Sequence, residues 1–444
     1  MRHLPPLLIV LALAAVAALQ LRLVEHSRTE RAFLERRLQI VEEENERLRG
    51  LVATDEKAKT LERTRAIRKD VEQQVEKLRG LKFREPVVYD VVSRKEIRAI
   101  FAKALAEENS ESDFINIGRA WTRIGLLPRE MPLRQTLLDL LSEQVAAFYN
   151  HHEHKLFMFE DSSLDKPYDR VLLAHELTHA LQDQYFHLAS LPIALRDNDD
   201  RALAALSVIE GDATAVMTDF MAANASFRVV LDTATAMMSQ QVIQLQKTPR
   251  FLRERLVFPY LHGKDFCAAV IEERGQRGVD DCFKRIPSST TQILHREKYL
   301  AKAPEEPLPV AWPAVEFAGR RPATDNVVGE AGIRCLVAEW AGEASAVTAS
   351  VGWRGDRYLS YEDDTLIWKS FWADDLEARE FFEAERTVLA KRYGPALPQS
   401  TEERMLIETP RAVRLIRLLP SNAVVLVDAA TAEVADQAEA QFAK

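Results

Sequence analysis

The sequence predicts a mostly helical α+β protein. It reads as an apolar N-terminal segment, a charged helical stalk, a helix-rich central domain with a small sheet, and a small C-terminal α/β domain. Three observations carry this. Residues 4–19 hold no charge, whereas residues 25–82 are dominated by Glu, Arg and Lys and contain no proline. From residue 94 to 286, six stretches (94–108, 133–148, 171–185, 204–217, 252–274 and 279–286) repeat apolar residues at helical spacing, and only 87–92 and 156–160 read as strands. Prolines then cluster over 303–323, and alternating apolar runs follow.

The N-terminal segment comes first. Arg2 precedes Leu4–Leu19, which is shorter than the roughly 20 residues of a membrane span. Two readings fit: a secretory signal peptide cut after Ala15-Val16-Ala17, or an anchor lengthened by Leu21, Leu23 and Val24. Both export the remainder, leaving it membrane-anchored on the extracytoplasmic side, or secreted or periplasmic if the leader (1–24) is cleaved. With 444 residues, 47% apolar and 29% charged, the chain has room for two or three domains with a sizeable core. A net charge of −9 without a basic stripe gives no support to nucleic-acid binding. Three cysteines are too few for a disulfide scaffold. Cys267 and Cys282 can pair in an exported protein or remain buried thiols.

In the stalk, 25–82, Leu34, Leu38, Val41, Asn45, Leu48 and Val52 follow steps of four and three, a short heptad seam with Asn45 as a polar register residue. A parallel homodimer through this seam and a single charged spacer helix both fit. Ile67, Val71, Val75 and Leu78 continue at helical spacing.

The central domain, 85–302, starts after Pro86 with a strand at 87–92, then helices at 94–108 and 133–148. His151, His152 and His154 fall between helix and strand, a weaker metal pattern than two histidines four apart on a helix. The strand at 156–160 is either an edge strand that holds a peptide backbone or a core strand. The run Val171–Tyr185 holds His175-Glu176-Leu177-Thr178-His179. Histidines four apart put both imidazoles on one helical face, at the separation a single tetrahedral Zn²⁺ needs. Glu176 lies about 100° round the helix, able to reach a water at the metal without becoming a ligand. Leu173, Leu177, Ala180 and Leu181 supply an apolar back. The pattern is that of a zinc hydrolase helix. A catalytic zinc takes three protein ligands, and the best acidic candidate is Glu210, in the helical run 204–217. Asp197, Asp199 or Asp200 offers that helix an N-cap, although the same acidic run can attract a hard cation such as Ca²⁺. Gly211 costs about 1 kcal/mol in a helix interior, which close approach to the 171–185 helix would offset. His187 sits at an unsuitable offset for a ligand and reads as a loop or packing residue.

Ala174-His175-Glu176-Leu177-Thr178-His179-Ala180, with Asp183 and Tyr185, resembles the zinc helix of thermolysin-type gluzincins. Glu210-Gly211 resembles the Glu-Gly of aminopeptidase N-like gluzincins. The resemblance implies a zincin-like metallopeptidase domain with His175, His179 and Glu210 as zinc ligands and Glu176 as catalytic base. It departs at Thr214, where thermolysin-like proteins have an Asp that orients a histidine, and in the longer spacing from His179 to Glu210. Asp183 or Asp212 is then left to support the ligands from behind. A looser similarity takes in 143–149, Pro259-Tyr260 with Gly263 and Phe266, 287–295 and 352–358. These segments together resemble a group of bacterial envelope-associated metallopeptidases whose activity is inferred from the motif.

A tetrahedral intermediate needs a donor opposite the metal. Tyr260, His262 and His295 are the candidates, Tyr260 preferred because related gluzincins place a Tyr after the ligand helix. Pro259 is expected to interrupt the 252–274 helix. The last domain, 324–444, reads as strands at 356–361 and 366–372, a helix at 374–393, strands near 404–409, 412–418 and 423–427, and a terminal helix. It carries no catalytic signature, and Trp353, Trp368 and Trp372 read as core aromatics. Two functions follow: a zinc metallopeptidase acting on a peptide or protein substrate, or an inactive gluzincin-fold scaffold of the cell envelope.

Overall fold

The computed structural model describes residues 55–443 apart from 145–146, 161, 225–247, 313 and 398–399, together with residues 36, 40 and 41. The chain is a mixed α+β protein with two sheets, and it divides into two compact units between Ile67 and Arg68. In the first unit, residues 36, 40 and 41 are helical, and helix α1 (Asp55–Arg79) begins. The expected leader (1–24) and the heptad seam apart from Val41 lie outside the described residues. Among the described residues no helix is long and apolar enough to cross a membrane.

The second unit takes in the end of α1. Val71, Val75 and Arg79, four apart, are all buried. From Arg68 onward the segment expected to be a spacer to residue 82 is therefore packed into the folded body, because its apolar stripe has a partner.

Strand β1 (Val88–Val92) leads into α2 (Arg94–Glu108) and α3 (Glu111–Ile124), each opened by a capping box, from Ser93 with Glu96 and Ser110 with Asp113. Helix α4 (Leu133–Gln144) ends four residues short of the expected 148. The chain turns instead into β2 (Ala147–Asn150), because Phe148 stacks on Phe157 at 4.9 Å and packs on Phe101 at 5.2 Å. Strand β3 (Lys155–Phe159) pairs parallel with β1 and antiparallel with β2, giving the order β1-β3-β2. So the 156–160 strand is the central one, and β1 and β2 are the edges. Helices α5 (Pro167–Phe186), α6 (Asp199–Asn224), α7 (Arg250–Arg274) and α8 (Gln276–Lys284) follow, then the short α9 (Thr290–Leu294) and α10 (Arg296–Leu300). Helix α7 continues without interruption through Pro259, which cannot donate to the Arg255 carbonyl. All three cysteines are free and buried, so the Cys267–Cys282 pair does not form.

The C-terminal part contains β4 (Thr324–Asn326), α11 (Gly329–Ala341), α12 (Glu343–Ser350), β5 (Trp353–Ser360), β6 (Leu366–Trp372), α13 (Asp375–Tyr393), β7 (Arg404–Thr409), β8 (Ala412–Leu419), β9 (Ala423–Ala429) and α14 (Ala432–Phe442). Its antiparallel sheet has the order β4-β5-β6-β9-β8-β7. One face packs on α11, α12 and α13 in a core that also takes in Phe114 and Trp121 of α3 and Phe251 and Leu252 of α7. The other face is covered by α14 and by Val310, Trp312 and Phe317 of the proline-rich stretch. That stretch is thus a packed strap across the sheet. Trp353, Trp368 and Trp372 are core residues, as expected. The indoles of Trp353 and Trp368 both donate to Asp356, which also accepts the Val328 and Gly329 amides at the start of α11.

Glu385 of α13 is fully buried, and neither carboxylate oxygen has a partner among the described atoms. Burial pushes its carboxyl up to about 8, Arg392 opposing. The folded state then binds the extra proton between the ordinary Glu pKa and about 8, so stability falls as pH rises through that window. Urea unfolding of Glu385→Gln at pH 5, 7 and 9 is expected to show this part of the slope gone.

Candidate metal centre

Helix α5 starts with Pro at its first position and ends at His187, which takes a left-handed conformation (φ 53°) and caps the helix by bonding the Asp183 carbonyl. Leu173, Ala174, Leu177, Ala180 and Leu181 are buried behind it. This fixes the face that carries His175 and His179. Helix α6 is capped by Asn198, whose side chain accepts from the Arg201 amide at 2.9 Å. The expected Asp caps serve elsewhere. Asp199 pairs with Arg255, and Asp200 is buried against Thr290.

Glu210 of α6 meets the two histidines. The Nε2 atoms of His175 and His179 are 3.0 Å apart, and Glu210 Oε2 is 3.2 Å from the first and 3.4 Å from the second. A tetrahedral site with metal–ligand bonds of 2.0–2.2 Å has edges of about 3.4 Å, so the three atoms fit as one face of such a site. Among the described residues this is the group of His, Cys, Asp and Glu side chains able to hold a metal ion. Burial works to lower the His179 pKa, but Glu210, with Glu176 and Gln182, raises it to about 9. Burial likewise works to raise the Glu210 carboxyl, and the two imidazoles hold it well below the usual range.

Neither Asp183 nor Asp212 touches His175 or His179. Gln182 does, its Oε1 lying 2.9 Å from His179 Nδ1. Its Nε2 donates to the Ile209 carbonyl and to Asp212 Oδ2, both at 2.9 Å. A carbonyl can only accept, which fixes the amide orientation: Oε1 faces the ring, Nδ1 carries the hydrogen, and Nε2 offers its lone pair. His175 Nδ1 has no partner among the described atoms. Its ring is held by packing, edge-on to His179 at 4.6 Å and stacked on Tyr260 at 6.0 Å.

Glu176 leans towards edge strand β2, its Oε2 accepting the Tyr149 amide at 2.7 Å. Burial raises its carboxyl, while the two imidazoles and the Tyr149 bond oppose. Tyr260 is brought in by a contact between glycines. A Cβ on Gly211 would lie 2.2 Å from the Gly263 carbonyl carbon, and one on Gly263 would lie 2.1 Å from the Ser207 oxygen. Gly211 therefore serves close approach to α7, not to α5. Tyr260 lies one turn before Gly263 and stacks on His175; the nearby Glu210 carboxylate raises its pKa well above the usual value, so the hydroxyl stays a donor. Gly263→Ala is expected to destabilise the protein by at least about 1–3 kcal/mol, read as a lowered urea midpoint.

The other candidates lie elsewhere. His262 packs on Phe258, and His295 bonds Glu330 at 2.7 Å. His151, His152 and His154 occupy the β2–β3 turn, where His154 bonds Asp183 at 2.7 Å. Asp183 also accepts the Tyr149 hydroxyl and the Leu188 amide, so it ties the turn and the end of α5 together. Three participants were not singled out from sequence: Gln182, Tyr149 as an amide donor, and Asn198. Gln182 follows His179 by three, so a helical wheel could have placed it on the ligand side.

A family model described as a domain of unknown function, DUF8575, matches residues 316–439, within the C-terminal part of the chain. No curated protein matches. Among solved structures the chain is similar to one described as "a putative hydrolase with a novel fold" from Chloroflexus aurantiacus, with 15% identity, 60% of this chain and 95% of that one covered, and a TM-score of 0.35.

Proposed function

We propose that the chain is a zinc-dependent metallopeptidase in which His175, His179 and Glu210 hold the metal, Glu176 is the general base and Tyr260 is the oxyanion donor. The observation that carries this reading is the triangle of three donor atoms with edges of 3.0–3.4 Å on two helices. Two imidazoles and one carboxylate are the donor set of the zinc hydrolases of this type. When bound, zinc supplies Lewis acidity to a carbonyl and to water.

The remaining chemistry belongs to the chain. Glu176, held by the Tyr149 amide beside the donor triangle, takes a proton from the attacking water and delivers it to the leaving amine. The Tyr260 hydroxyl, kept protonated by Glu210, donates to the oxyanion of the tetrahedral intermediate. The outer edge of β2, next to Glu176, is where an extended peptide would add as a further strand. A peptide-library cleavage assay on wild type and Glu176→Gln tests the reading. Cleavage by wild type alone supports it; cleavage by both defeats the role of Glu176, and cleavage by neither leaves the scaffold role.

A further inference from the structure

The support of His179 does not end at Gln182. Asp212 Oδ2, which accepts from Gln182, also accepts from Arg79 Nε at 2.8 Å. Arg79 in turn donates from Nη2 to Asp280 at 2.7 Å. The Arg79 and Asp212 side chains are both fully buried, and Arg79 is the last residue of α1. We propose that Arg79 is a positioning residue of the metal centre, acting through Asp212 and Gln182 on His179. The inference rests on the metal reading of the site.

The physical case has three parts. First, an Asp that faces a guanidinium is an acceptor, and its second donor must be the Gln182 amide nitrogen, which turns the amide oxygen to His179. Second, partners behind a metal ligand set its tautomer and ring orientation, and losing one typically weakens binding about 10–100-fold. His179 is the ligand with such a partner; His175 has none among the described atoms. Third, a buried ion pair adds little stability over an apolar pair of the same size. Here the pairing is also incomplete, since Arg79 Nη1 and Asp212 Oδ1 lack partners among the described atoms. Stability alone is therefore a weak reason for a buried Arg at this place, and its lead towards the ligand is a stronger one. The positive charge also compensates Asp212 and Asp280, so the acids behind the site do not add uncompensated charge to it.

The test uses the full chain, wild type and variants, and reads Zn²⁺ affinity by competition with a chromophoric chelator and the visible absorption of bound Co²⁺. Arg79→Gln and Gln182→Met are each expected to weaken Zn²⁺ binding about 10–100-fold and to change the Co²⁺ spectrum. In a double-mutant cycle the two losses should not multiply: Arg79→Gln in the Gln182→Met background should cost less than about threefold. If Arg79→Gln binds Zn²⁺ as wild type does, or if the losses multiply, Arg79 is structural only and the proposal is overturned. A wild type that binds neither ion overturns the metal reading itself, a separate result. If Arg79→Gln fails to fold by far-UV circular dichroism, Arg79→Lys, which keeps the charge but loses the fork, is judged by the same cycle.

Discussion

Glu176→Gln is expected to abolish peptide hydrolysis and leave zinc content unchanged. Glu176 is outside the donor triangle, so the substitution removes no ligand. Gln has the same shape, and its amide oxygen can still accept from Tyr149 N, so edge strand β2 stays in place. What is lost is the ability to take up a proton. General-base catalysis contributes about 10²–10⁴-fold, and kcat/KM on a fluorogenic peptide pool should fall by about that much. Burial raises the Glu176 carboxyl, which brings it closer to neutrality and makes it a better match for the proton it exchanges. Metal analysis on the same sample separates the outcomes. A variant that keeps zinc and loses turnover fits the assigned role; one that keeps both removes Glu176 from the chemistry.

Glu210→Gln is expected to lose the metal. On the proposed reading the carboxylate is the charged ligand of the triangle, and a neutral amide oxygen is a poorer donor to a divalent ion. The drop in Zn²⁺ affinity should exceed the roughly 10–100-fold typical of an outer partner. The metal-free variant should also differ: without the carboxylate, nothing comparable opposes the burial that lowers the His179 pKa, so the value of about 9 should fall. Chelator competition checks the first effect, and NMR titration of the imidazole the second. A variant with wild-type affinity would place the third ligand elsewhere.

Much of this was legible in the sequence where one period dominates. The four-residue spacing of His175 and His179 and the apolar back of α5 needed only helix geometry. Glu210 needed the added pattern of a following Gly, although that glycine turned out to face Gly263 rather than α5. The misses share a cause: long-range contacts overrode local pattern. Apolar periodicity ran on through Phe148, yet stacking on Phe157 made it a strand residue. Arg79 closes a run of charge that reads as a solvated stalk, and only its partners Asp212 and Asp280, far along the chain, explain why it is buried. The 156–160 strand carried no mark of being central, because sheet order depends on which strands come together. Asn198 outcompeted three neighbouring aspartates as a cap, two of which are held by Arg255 and Thr290.

Both imidazoles ride on a single rigid rod, and the carboxylate rides on a second rod whose separation from α7 is set by the touching backbones of Gly211 and Gly263. All three donors sit inside long helices, α5 and α6. The opening between them therefore works as a calliper. If a metal is held there, an ion bound at 2.0–2.2 Å would fit the spacing of these donors, whereas one bound at 2.3–2.6 Å, such as Ca²⁺, would need the donors on α5 and α6 to move apart. On the proposed metal reading, that spacing would favour a smaller ion before the chemical preference of nitrogen donors is counted.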